Sequence, residues 1–114
     1  MSNIEWLIQN HHARNRELLE LIAKQGVDPN LPCAIDLHFW ASSEDAARKL
    51  SAALETRGYS PVSIDRAVVD TSVWNVETRI QASPVSVAAP AFVEDLAKLA
   101  DGYNGEFDGW GTSI

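Results

Sequence analysis

Two stretches of this sequence alternate apolar with polar residues, and a period of two is typical of β-strands that are buried on one face only. Residues 34–40 and 73–81 both follow this pattern. The apolar side carries Ile35, Leu37, Phe39, Trp74, Val76, Thr78 and Ile80. The other side carries Asp36, His38, Trp40, Asn75, Glu77, Arg79 and Gln81. A chain with two such strands must cover one face of a sheet and can leave the other in solvent.

Helical spacing of apolar residues covers three further segments. Residues 3–25 carry apolar residues three and four apart at both ends, and Gly26 provides the stop. Residues 44–57 follow a serine cap at Ser42 or Ser43, and residues 91–100 form the third helical pattern. Two less regular segments, 59–69 and 105–112, predict strands, and Pro61 favours a sheet edge or a strand start for the first of them. Residues 83–90 are predicted to be a connector.

After the first helix the predicted order is strand, helix, strand, strand, helix, strand. This order matches the split βαβ arrangement of a ferredoxin-like βαββαβ sandwich, an α+β fold whose antiparallel sheet carries helices on one face. At 114 residues the chain suits a single domain. We therefore expect residues 1–26 to form an added N-terminal helix and residues 33–114 to form the ferredoxin-like core.

The middle of the first helix interrupts its apolar stripe with polar residues, from His11 to Glu17. We expect this part of the helix to be exposed. His11 and His12 are adjacent, so they point about 100° apart and cannot share a metal ion as an i, i+4 pair can. No metal or cofactor motif is found elsewhere in the sequence.

Composition restricts the function. No apolar run approaches the roughly 18 residues of a membrane span, and the first residues lack a signal core, so a cytoplasmic location is expected. Cys33 is the only cysteine, so no intrachain disulfide forms, and we expect it to be a packed small residue. A net charge of −7 argues against binding nucleic acid directly and is compatible with a basic protein partner.

The open sheet face allows three other uses. Aromatic residues there invite comparison with RNA-binding sheets, but acidic residues dominate the face. Asp36, His38, Glu77 and Asp108 are components of acid–base chemistry or of a small-molecule site. Trp40 and Trp110 are candidate anchors of a homodimer that pairs through the sheet.

The last strand contains two glycines that flank Trp110, and glycine inside a strand marks a bulge or a close backbone approach. Strict alternation places Asp108, Trp110 and Thr112 on one side of the strand. A bulge at Gly109 would reverse the tryptophan ring. The sequence therefore leaves open whether Trp110 belongs to the core or to the surface.

This last strand also carries a resemblance. It is similar to the tyrosine-aspartate-glycine-tryptophan-glycine-threonine signature of the bacterial regulators of ribonuclease E activity of the B type, the RraB family. The matching residues are Glu106-Phe107-Asp108-Gly109-Trp110-Gly111-Thr112. Weaker matches, in the same order along the chain, are Gly26-Val27-Asp28-Pro29, Ile35-Asp36-Leu37-His38, Ala41-Ser42-Ser43-Glu44-Asp45 and Arg57-Gly58-Tyr59.

The resemblance implies a non-catalytic protein with a ferredoxin-like domain that binds ribonuclease E and lowers its RNA cleavage. Family members continue past the signature into a strongly acidic tail, whereas this sequence ends at Ile114. If that tail contributes to binding, inhibition here would be weak or absent. The residues expected to contact the partner are Asp36, His38, Trp40, Glu77, Glu106, Asp108 and Trp110.

Overall fold

A computed structural model describes residues 3–59, 62–66 and 73–112. Four helices and four strands lie in these ranges. The helices are α1 (Asn3–Lys24), α2 (Glu44–Thr56), α3 (Pro84–Ala88) and α4 (Pro90–Asp101). The strands are β1 (Cys33–Ala41), β2 (Val62–Arg66), β3 (Trp74–Ala82) and β4 (Gly105–Gly111). No helix within these ranges has the length and apolar character needed to cross a membrane.

The strands form one sheet in the order β2-β3-β1-β4, and every neighbouring pair is antiparallel. Helix α2 connects β1 to β2, which are parallel and have β3 between them. Helices α3 and α4 connect β3 to β4, which are parallel and have β1 between them. This is the split βαβ topology, so the predicted α+β, ferredoxin-like fold with an added N-terminal helix is confirmed.

The two alternating strands lie side by side at the centre of the sheet. In their register Asp36 is opposite Arg79 and His38 is opposite Glu77. Leu37 and Phe39 point to the other side and are buried under the helices. The predicted division into a core face and an open face is therefore correct for β1 and β3.

Helix α2 begins where the chain supplies a cap. The Ser43 hydroxyl accepts a hydrogen bond from the Ala46 amide at 3.1 Å, and Glu44 and Asp45 in the first turn complement the helix dipole. Leu50 and Leu54 are fully buried against the sheet. Full burial of such a side chain contributes about 1.5–3 kcal/mol to stability.

One segment differs from its prediction. Residues 84–88 form the short helix α3 instead of a connector, because Ser83 caps it and Pro84 occupies its first turn. Five residues are too few to show helical periodicity, so the sequence pattern does not reveal this helix. Strand β2 is described only over Val62–Arg66 and lies at the sheet edge, one of the two positions that Pro61 favours. Pro61, the rest of the predicted strand and the predicted turn 70–72 lie outside the described residues.

Candidate interaction surface

Three pairs of side chains join neighbouring strands on the open face of the sheet. The Arg79 Nε donates to Asp36 Oδ1 at 2.8 Å. His38 Nδ1 lies 3.1 Å from Glu77 Oε1. The indole of Trp40 donates to Glu106 at 2.8 Å. Each pair connects residues that face each other directly in the strand register, so the sheet itself positions them.

These pairs keep the open face charged and ordered. The hydrogen bond from Arg79 holds the pKa of Asp36 below its usual value, with the guanidinium charge adding to the effect. Asp36 therefore stays ionised at neutral pH and is poorly suited to act as a general acid. Exposed pairs of this kind stabilise a fold only slightly, so their main effect is to orient the side chains.

The open face has an excess of negative charge. Among the described residues its carboxylates are Asp36, Asp65, Glu77 and Glu106. Arg79 is the one guanidinium among them, which leaves three negative charges when His38 is neutral. Such a face repels phosphate backbones and attracts basic segments.

A shallow depression of about 400 Å³ lies on the sheet beside Ser63, Glu77 and Arg79. Its ionisable groups are already bonded to one another, Asp36 to Arg79 and Glu77 to His38. Across the ranges that the structure describes, no group of three His, Cys, Asp or Glu residues is arranged to hold a metal ion.

Strand β4 contains a bulge, and the bulge decides the position of Trp110. Gly109 is opposite His38, but the next residue of β1, Phe39, is opposite Phe107, so Asp108 is the extra residue. Gly109 adopts φ +128°, which favours glycine strongly. Trp110 consequently points toward the helices and is only 5% exposed. Strict alternation is thus wrong at this point, and Trp110, which was predicted to contact a partner, does not lie on the open face.

Helix α1 binds this bulge through three side chains on one of its faces. His11 Nε2 donates to the Phe107 carbonyl at 2.8 Å, and an Arg14 guanidinium nitrogen donates to the Asp108 carbonyl at 2.8 Å. Asn15 Oδ1 accepts from the Trp110 indole at 2.9 Å. The signature strand therefore serves as the docking site of the N-terminal helix.

The polar middle of α1 was expected to be exposed, and this prediction is wrong for His11 and Asn15, which are 7% and 4% exposed. Both continue the apolar stripe of Ile8, Leu18 and Ile22 at spacings of three and four; Ile8 and Ile22 are buried and Leu18 is partly buried. The spacing was a usable signal. The polar residue types at positions 11 and 15 nevertheless predicted exposure, because polar side chains tolerate burial only where specific partners are present.

The environment of His11 keeps its ring neutral. Burial lowers the pKa of His11, and the nearby charge of Arg14 acts in the same direction. The bond to the Phe107 carbonyl and the carboxylates of Glu106 and Asp108 oppose the shift without reversing it. The ring also packs against Phe107, with centroids 5.1 Å apart. His11 is thus a structural donor.

The end of the signature closes onto the start of β1. The Thr112 hydroxyl donates to the Ala34 carbonyl at 2.8 Å, and its oxygen lies 3.6 Å from the Cys33 sulfur. Cys33 is half-buried and packs against the core, as expected of a small packed residue.

The family model described as Regulator of ribonuclease activity B matches residues 12–112. The chain belongs to this family. The matched region begins inside α1 and ends at Thr112, so it includes the open face and the contacts that Arg14 and Asn15 make with the bulge, whereas His11 lies one residue before it. The resemblance predicted from the residues of the last strand is confirmed.

Two curated relatives carry the same description. Regulator of ribonuclease activity B of Pantoea ananatis is 26% identical over 110 residues, which cover 95% of this chain and 79% of the relative. Its counterpart from Psychromonas ingrahamii is 21% identical over 112 residues, which cover 96% and 93%.

The structure groups five of the seven predicted contact residues. Asp36, His38, Trp40, Glu77 and Glu106 lie together on the open face. Asp108 is exposed, but it lies at the bulge beside Arg14. Trp110 is buried under α1, so it cannot meet a partner without unfolding of that contact.

Proposed function

We propose that this protein is a non-catalytic regulator that binds a ribonuclease of the E type through its open sheet face and lowers RNA cleavage. The family match over residues 12–112 carries this proposal. Both curated relatives are named for regulating ribonuclease activity. Inhibition by protein binding needs a contact surface and no catalytic group. The ionisable side chains of the open face bond to one another, which agrees with a contact surface.

The charge of the open face supports a basic partner segment. Electrostatic complementarity accelerates association and selects among partners, and this face has more carboxylates than cations. Trp40 supplies an amphipathic ring at the same place, held by its bond to Glu106. Aromatic anchors surrounded by polar groups are typical of binding hot spots.

A charge reversal on this face tests the proposal. Glu77→Lys replaces a central carboxylate, and Glu55→Lys makes the same change at an exposed position of α2, on the helical side. We expect Glu77→Lys to weaken capture of purified ribonuclease E at least about tenfold and to relieve inhibition, since reversal places like charges together. Glu55→Lys should behave as wild type. Equal affinity of the two variants would reject the open face as the contact.

If the wild-type protein at micromolar concentration does not change the rate of RNA cleavage by the ribonuclease, the regulatory role itself is rejected.

Two parallel measurements define the mode of action. Labelled RNA alone should show no anisotropy change, since the proposed partner is the enzyme and not its substrate. Light scattering should give a mass near 12.5 kDa, whereas a homodimer through the sheet would hide the proposed contact. The proposed site of action is the cytoplasm.

A further inference from the structure

Strand β4 contains three glycines, and the fold itself requires two of them. A Cβ at Gly105 would lie 2.4 Å from the carbonyl oxygen of Trp40. Gly109 has a positive φ, and a Cβ there would lie 2.4 Å from an Arg14 nitrogen. Packing and backbone geometry therefore account for glycine at both of these positions.

Gly111 has neither requirement. Its φ lies outside the left-handed region, and a Cβ there would meet a single atom of the described residues, the Nε2 of His38, at an ordinary contact distance of 4.0 Å. Glycine weakens the interior of a strand, and where no bulge explains it, it often marks a place that another backbone approaches closely. Gly111 thus keeps the strand bare at a point where the fold would accept a side chain.

The open face is low along this part of β4. Gly111 is opposite Asp36 in the strand register and Gly109 is opposite His38, so backbone without side chains lies beside the His38 ring. A depression of about 260 Å³ adjoins Gly111, and its lining includes Ala34, Asp36 and Thr112. An extended segment of another protein therefore has room to lie along this side of the sheet.

His38 directs a hydrogen-bond acceptor toward the bare strand. Its Nδ1 lies 3.1 Å from a carboxylate oxygen of Glu77. A carboxylate can only accept, so Nδ1 carries the proton, and Nε2 of the neutral ring is an acceptor. Nε2 faces Gly111 and meets no hydrogen-bond partner within the described residues. The position above Gly111 is therefore suited to a donor.

Charge decides which kind of donor fits. Among the described residues, carboxylates outnumber cations on the open face. Glu77 and Glu106 lie on the two strands that flank β1, whereas the guanidinium of Arg79 is bonded to Asp36. A positively charged donor is favoured at such a place over a neutral or an anionic group.

We propose that an extended segment of the partner crosses β4 at Gly111 and places a lysine or arginine side chain on the Nε2 of His38. The inference rests on the proposed function, because the ribonuclease supplies this segment. Glycine at position 111 lets the segment approach, and Glu77 holds the imidazole with its acceptor toward it. His38 and Gly111 are therefore specificity-determining residues of the contact.

The affinity of Gly111→Ala for purified ribonuclease E tests the close approach. We expect binding at least about fivefold weaker than wild type, because the added methyl group overfills a close contact. Its melting temperature should equal or exceed that of wild type, since alanine suits a strand interior better than glycine does. Gly102→Ala, at the end of α4, is the matched control and should bind as wild type.

Two substitutions of His38 test the acceptor and the charge of its partner. His38→Asn keeps a donor for Glu77 at the place of Nδ1 but has no acceptor at the place of Nε2, so it should bind about fivefold more weakly than wild type. His12→Asn makes the same change on α1 and should leave the affinity unchanged. His38→Lys should bind more weakly still, because it places a like charge against the partner's cation.

The outcomes separate this inference from the proposed function. If wild type binds the ribonuclease and either Gly111→Ala or His38→Asn binds equally well, the inference is overturned and the regulatory role stands. Equal affinities of His38→Lys and His38→Asn would overturn the positively charged donor. If wild type does not bind the ribonuclease at all, both the proposed function and this inference are rejected.

Discussion

The Trp110 indole and the Asn15 amide oxygen are 2.9 Å apart, and this buried hydrogen bond joins residues that are 95 positions apart in the chain. It links the N-terminal helix to the strand that carries the family signature. Together with the bonds from His11 and Arg14, it explains why a glycine-rich strand with a tryptophan is needed there. The signature positions α1 against the sheet.

A double-mutant cycle on this pair should show strong coupling. Trp110→Phe leaves the Asn15 oxygen buried without a donor, and Asn15→Leu leaves the indole without an acceptor, so each should lower the free energy of unfolding by about 1–3 kcal/mol. The double variant should be less destabilised than the sum of the two, because both partners are then apolar. Urea denaturation measures all three. Additive losses would show that the bond contributes nothing.

Gly109→Ala should destabilise the protein by about 1–3 kcal/mol. The backbone angle of Gly109 is strained for any residue with a Cβ, and that Cβ would lie 2.4 Å from an Arg14 nitrogen. Gly102→Ala is the matched control, because Gly102 has an ordinary helical φ of −67° and its Cβ would meet only contacts of 3.4 Å or more. Thermal unfolding compares the two. A Gly109→Ala melting temperature equal to that of the control would contradict the bulge.

The fold was predictable where local pattern and tertiary environment agree. In β1 and β3 the period of two places Leu37 and Val76 in the core without further information. From the sequence, a bulge at Gly109 was only one of two alternatives. The choice between them depends on contacts between β4 and α1, such as the bond from Trp110 to Asn15, which the sequence of β4 alone does not contain. The burial of His11 and Asn15 was not predictable from α1 alone, because their hydrogen-bond partners are on β4.

Stability should decrease as the pH falls below about 6.5, the ordinary pKa of an unfolded histidine. Burial lowers the pKa of His11 in the folded state, so as the pH falls the unfolded chain binds a proton at a higher pH than the folded protein does. The free energy of unfolding therefore decreases until the pH reaches the folded-state pKa. Denaturation between about pH 5.5 and 7.5 separates this effect from carboxylate titration.

The matched variant for this effect is His11→Gln, whose amide can still donate to the Phe107 carbonyl but does not titrate. Its free energy of unfolding should change less with pH than that of wild type over the same interval. An unchanged pH dependence would show that another group is responsible.

Trp40→Ala should weaken binding to ribonuclease E by about tenfold or more, the effect expected of an aromatic hot spot. Trp40 lies half-buried on the open face, and its indole is held by Glu106. The side chain therefore loses little conformational entropy on binding. Trp6→Ala is the control, because Trp6 is 58% exposed on α1. Surface plasmon resonance on both variants, after circular dichroism has verified their folding, measures the difference. A greater loss for Trp6→Ala would move the contact from the sheet to the helix.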